Sequence, residues 1–283
     1  MIPRFFLAAL LAAVLGLPLK SNAVTFSDNG SPNLLDGFDL TYLKEGNRFT
    51  LSADVVAKSV KFWTIEPHTG TWANLVFWEI RLNTAANLPG TVLSSGNSTN
   101  LTHAGTGRVV APDAPYPEFL ITFDLPSVSL PAGTYWLVLH NGALSNNNIL
   151  LASDILWETT TKIPSDPAYR PSFCDPAPFT NNWDTNDLAP PKAEGSQVAF
   201  QLIGTVRPKV TTFGFVSAKP QVSFTTVTGQ NYKVEFKNNL TDASWTTVSG
   251  ASNVTGTGGV VPINDNDPNL PTIRHRFYRV TVL

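Results

Sequence analysis

The chain has 283 residues, of which 42% are hydrophobic and 14% charged, with a net charge of −2, 19 Gly, 22 Pro and one cysteine. This is a globular profile whose near-neutral balance and pI near 6.1 leave no electrostatic footprint for nucleic acid or an anionic membrane surface. A single thiol excludes an intramolecular disulfide scaffold, and low charge with frequent Gly and Pro favours many short strands over long helices.

Residues 1–23 read as a secretory signal. Arg4 opens an apolar run from Phe5 to Leu17, and Ser21-Asn22-Ala23 puts small residues where a signal peptidase reads. The run falls short of the roughly 20 apolar residues that span a bilayer. The mature chain is therefore expected to begin near Val24, to have no membrane span, and to be secreted, extracellular or at the cell surface.

The turn-rich stretch from Val24 to about Tyr42 is expected to lie across the first strands. Phe49, Leu51, Ala53 and Val55 alternate with polar residues, and Val60, Phe62 and Trp63 mark a second strand. Val76, Trp78, Ile80 and Leu82 then share one face against Phe77, Glu79 and Arg81, which sends Trp78 to the core. Ser94 to Gly107 is rich in Ser, Thr, Asn and Gly and reads as a hairpin or long exposed loop. Phe119, Ile121, Phe123 and Leu125 form the next inward set. The run Leu130-Pro-Ala-Gly-Thr-Tyr-Trp-Leu-Val-Leu-His140 joins a turn to a strand that is apolar on both faces, and such a strand belongs in the middle of a sandwich.

Between Ile163 and Ala193 seven prolines sit among Asp, Asn and Ser, so irregular structure is expected there. Val198, Phe200 and Leu202 form a last strand before the connector Gly204 to Pro208. A new alternation follows, with Tyr232, Val234 and Phe236 inward against Lys233, Glu235 and Lys237 outward. Trp245 joins the expected core of this unit, and Phe277 to Leu283 closes it. The expected fold is all-β: a jelly-roll-like β-sandwich over residues 24–206 and a smaller immunoglobulin-like β-sandwich over 208–283.

Two resemblances accompany this reading. The order Tyr232-Lys-Val-Glu-Phe236, Trp245, Gly256-Thr-Gly-Gly259, Asp265-Asn-Asp267 and Arg276-Phe-Tyr-Arg-Val280 resembles a small immunoglobulin- or fibronectin-like domain that ends many exported bacterial proteins, which implies an accessory module without catalysis. Phe49-Thr-Leu51, Val60-Lys-Phe-Trp63, Leu88-Pro-Gly90, Leu130 to Trp136 and Val198 to Gly204 are similar, more loosely, to the β-sandwich ectodomains of bacterial proteins with a PEP-CTERM sorting tail. That likeness implies a fold and a compartment rather than a reaction.

No catalytic or metal motif stands out. His68, His103, His140 and His275 are scattered, with neither HxxxH nor HExxH spacing, and Cys174 reads as a packed thiol. Glu66 or Glu79 would serve a polysaccharide-active hydrolase only if a distant carboxylate joined it. Aromatic side chains carry the alternative, since sugars stack on exposed indole and phenol rings. Trp72, in a Gly/Thr loop, and Tyr169 and Trp183, in the proline-rich stretch, are the candidate ligand-binding rings, set against a role in capping the sandwich ends. Calcium is the one cofactor the acidic turns admit, through Asp184 and Asp187 or through Asp265 and Asp267. The leading expectation is a secreted, non-catalytic binding module for polysaccharide or a cell-surface glycan. Its rivals are a self-associating matrix or filament subunit that pairs strands, with Val24 to Leu43 or the C-terminal strand Phe277 to Leu283 as the donor unless each packs on its own domain, and a hydrolase with an unrecognised acid pair.

Overall fold

The computed structural model describes residues 23–67, 72–110, 116–145, 155–160, 172–185, 197–270 and 275–283. Residues 1–22, His68, Tyr169 and Asp187 lie outside them. The chain is all-β, with antiparallel sheets and no helix among the described residues. No helix among them is long and apolar enough to cross a membrane.

Strand β4 (Asp54–Ile65) organises a seven-stranded sheet. One edge of β4 pairs with β8 (Tyr116–Leu130), and beyond β8 lies β7 (Thr99–Val110). The other edge pairs with β13 (Phe200–Arg207), then β1 (Val24–Asp28), while the last residues of β4 pair with β10 (Leu156–Thr160), then β2 (Pro32–Asp39). Gly204 sits at the β4–β13 register shift, where a Cβ would lie 2.0 Å from the Val56 carbonyl oxygen, so only glycine fits.

A six-stranded sheet runs β12 (Asp184–Thr185), β11 (Ser172–Pro176), β3 (Leu43–Leu51), β9 (Gly133–Asn141), β5 (Val76–Asn83) and β6 (Pro89–Asn97). The main core draws on both sheets: Phe49 meets Phe200 edge-on at 6.3 Å, and Trp78, Leu137 and Trp157 are buried with them. Strand β9 is interior, as its two apolar faces require.

After Arg207 the strands pair among themselves. β14 (Val210–Val216), β15 (Lys219–Thr225) and β19 (Val260–Asn264) form one sheet. In the other, β16 (Asn231–Lys237) pairs with β17 (Thr246–Thr247), β18 (Val254–Thr255) and β20 (Phe277–Val282). A second core cluster of Phe224, Tyr232, Val234, Val248 and Ala251 lies here, with Val282 touching both clusters.

Four expectations change. The stretch from Val24 forms strands of the sheet rather than lying across them: β1 is bonded to β13 and β2 to β10. Ser94 to Gly107 is strand rather than loop, because Thr-rich edge strands tolerate exposed polar side chains; the chain passes from β6 in one sheet to β7 in the other across Ser98. The proline-rich stretch supplies β11, whose Pro176 ends the strand. Trp245 is half-buried outside the core, held between Lys237 and Arg279 at 5.2 and 4.5 Å.

Candidate functional site

The polar chemistry of the first unit gathers in three clusters, each assembled from separate strands. The largest covers the outer face of the six-stranded sheet. Alternation along β3, β5 and β9 points Lys44, Glu79, Arg81, Trp136, Val138 and His140 away from the core, so that face is partly apolar and needs a cover. The segment after β11 supplies it. Asp175 accepts the backbone amides of Asn181 and Asn182, each at 3.1 Å, which folds residues 177–183 back over the sheet.

Lys44, only 2% exposed, lies 3.0 Å from Asp175 and 3.9 Å from Glu79, while Arg81 Nε donates to Glu79 at 2.5 Å and Nη2 donates to Asn181 at 2.7 Å. Trp183 lies between the two cations, 5.3 Å from Lys44 and 5.1 Å from Arg81. A Cβ on Gly46 would come within 3.4 Å of the Trp183 ring, so a glycine in mid-strand lets the indole sit on the sheet. Phe179 meets His140 edge-on at 5.1 Å, and burial lowers the His140 pKa, which favours the neutral imidazole.

The second cluster lies on the inward side of β7 and β8. His103 is stacked between Trp72 and Phe119, with ring separations of 4.6 and 4.2 Å, and its Nε2 is 2.6 Å from Glu66, which also accepts the Thr64 hydroxyl. The third lies on the opposite side of the same strands. Arg108 forks onto Glu118, Thr106 donates to the same carboxyl, and Glu158 from β10 stands beside it.

Neither tryptophan proposed from sequence is an open sugar platform. Trp72 has one face on His103, and Trp183 is enclosed by two cations and the strand beneath it. Glu66 and Glu79 meet basic partners, not distant carboxylates. Asp265 and Asp267 both meet Arg276: Nη1 reaches Asp265 at 2.6 Å and Nη2 reaches Asp267 at 2.7 Å, so the guanidinium already holds one oxygen of each. Asp184 is exposed on β12, and no group of three metal-ligating side chains occurs among the described residues. Cys174 is buried, and burial, reinforced by Glu45, Asp184 and Asp175, pushes its thiol up to about 12, so it is neither a ready thiolate nor open to an intermolecular bridge.

No family model matches the chain, and no curated protein or solved structure matches it significantly.

The last feature is an edge. Most sheet borders carry protection: β1 has Asp28 and a bulge, β2 has Pro32 and Asp36, β6 begins at Pro89, β7 is twice bulged and holds Arg108, β19 contains Pro262, and β20 has Arg279. Strand β14 pairs only with β15 and reads Val-Thr-Thr-Phe-Gly-Phe-Val, without charge or proline. Its Phe213 and Phe215 are 47% and 54% exposed, and Phe213 rests against Tyr278 at 5.6 Å.

Proposed function

We propose that the chain is an exported, non-catalytic surface module that works by association, and that β14 is the strand through which it associates with a second copy of itself. The uncovered edge of β14 carries this reading. Its outward N–H and C=O groups form a template for another strand, and its apolar side chains gain by leaving water, by about 25 cal/mol per Å². A second copy suits the edge because the seven-residue strand is uncharged. An antiparallel copy centred on Phe213 sets Phe213 against its own image, Val210 against Val216 and Thr211 against Phe215, with no like charges inside the ladder.

Export is supported by the leader-like residues 1–23 and by the likeness to exported sandwich proteins. The non-catalytic reading is supported by the partners that already hold the clustered carboxylates, Arg81 on Glu79, Lys44 on Asp175 and Arg108 on Glu118. Glycan binding through Trp72 or Trp183 would require displacing the rings and cations already packed on them.

Light scattering and electron microscopy of the chain from Val24 onward test the proposal. Concentration-dependent dimers or filaments are expected, and Phe215→Lys should reduce them to monomers without lowering the melting temperature. A wild-type chain that stays monomeric at high concentration overturns it. Retention on polysaccharide that is lost in Trp72→Ala or Trp183→Ala would restore the glycan reading in its place.

A further inference from the structure

One end of the seven-stranded sheet holds a carboxyl pair whose charges do not balance. Glu118 on β8 and Glu158 on β10 are both fully buried. Among the described residues the cation facing them is Arg108 of β7, which donates to Glu118 through Nε at 2.8 Å and again through Nη2. From β2 the Leu34 amide donates to Glu158 Oε1 at 2.6 Å. Glu158 Oε2 is buried with no hydrogen-bond donor. Between β8 and β10, β4 presents Ile65, and its Lys61 sits further along over the Trp63 ring. On β2, Asp36 and Asp39 hold the Gly37, Thr41 and Tyr42 amides. Glu66 and His103 pair on the opposite side of the strands.

Two carboxylates against one guanidinium leave a buried charge unpaired and an oxygen orphaned, and both defects are costly away from water. A single proton on Glu158 removes them together, because it cancels the second charge and gives Oε2 a hydrogen to donate to Glu118. We propose that Glu118 and Glu158 hold one proton between them, and that this proton latches β2 to the β7–β8 hairpin, so that this end of the sandwich loosens when the proton is released to water.

The electrostatics agree with the geometry. Burial pushes the Glu158 carboxyl up to about 8; the Leu34 amide opposes the rise, Glu118 adds to it and Arg108 opposes it. A carboxyl raised in the folded state binds more protons there than in the unfolded chain. Its contribution to stability is therefore full below the ordinary carboxylate range, falls as pH rises toward 8, and is level above that.

Carbon-13 titration of the glutamate carboxyls reads the proton directly, and one resonance moving near pH 8 is expected. The wild-type melting temperature should fall by roughly 5 °C or more between pH 5 and 9. Glu158→Gln, whose amide can donate to Glu118 while its oxygen keeps the Leu34 amide, should lose most of that fall. At pH 9 the Leu34 amide should exchange at least tenfold faster in wild type than in Glu158→Gln. The proposal is overturned if every glutamate titrates below pH 6, or if Glu158→Gln shows the same fall and the same exchange rate as wild type. Should that variant fail to fold, the wild-type titration decides alone.

Discussion

Two buried charge clusters lie on the outer faces of the two large sheets, and they solve the same problem in different ways. On the six-stranded sheet, Lys44 and Arg81 meet Glu79 and Asp175, two charges of each sign. On the seven-stranded sheet, Glu118 and Glu158 meet Arg108 as the one cation among the described residues. Burial makes an unmatched charge expensive, so the first cluster closes with side chains while the second needs a proton. The first should therefore be indifferent to mild alkali and intolerant of losing a member. The second should respond to alkali and tolerate loss of its cation.

The largest effect is expected at Asp175. Asp175→Ala strips Lys44 of its nearest partner and frees the Asn181 and Asn182 amides, and should destabilise by about 3–5 kcal/mol at pH 7 in urea denaturation. Arg108→Ala removes a cation whose side chain is 43% exposed, and the carboxyl it leaves can take up a second proton. A loss nearer about 1 kcal/mol is expected there. Equal losses from the two substitutions would show that charge balance is not what separates the clusters.

Trp183 tests whether the cover over the balanced cluster is structural. Trp183→Ala gives up two cation–ring contacts and the packing on Gly46, for an expected loss of about 2–3 kcal/mol. Polysaccharide retention should be unchanged. If stability is unchanged and retention on a polysaccharide disappears, the ring is a ligand platform instead.

Much of the fold was legible because alternation is a local signal. Trp78, Phe123, Leu137 and Phe200 went inward as their spacing required. The double-sided apolar pattern of Tyr135 to His140 also implied that something must cover Trp136 and Val138. What it could not tell was that residues 177–183 are the cover. Glu79 and Arg81 were legible only as the face opposite Trp78 and Ile80 for the same reason, since alternation assigns a side and not its surroundings. Gly46 was the overlooked signal: a glycine inside a strand marks a close approach, and here the approach is Trp183. Glu118 and Glu158 lie on strands far apart in sequence, so only the sheet order brings them together. The closing Arg276-Phe-Tyr-Arg-Val280 now has a physical reason. Arg276 clamps Asp265 and Asp267 above the Phe236 ring, 3.7 Å away, and Arg279 holds Glu235 against Trp245.

The smallest expected effect carries the opposite sign from Glu158 and comes from the second unit. Glu235 is also poorly exposed, and burial alone would raise its pKa. Hydrogen bonds from Lys233 and Arg279 overcome that penalty and hold its carboxyl below the usual glutamate range. Because two cations face one carboxylate, no proton is wanted. A carboxyl depressed in the folded state binds fewer protons there than in the unfolded chain. Its stabilisation is present above the ordinary glutamate range and is lost as pH falls through the lowered folded value. Both cations are partly exposed, so the contribution should stay under about 1 kcal/mol. Glu235→Gln should therefore lower the melting temperature slightly at pH 7 and leave it unchanged near pH 2.5, whereas Glu158→Gln should act only on the alkaline side. A Glu235→Gln variant whose deficit grows toward acid pH would show that the cations do not control this carboxyl, and that burial governs both glutamates alike.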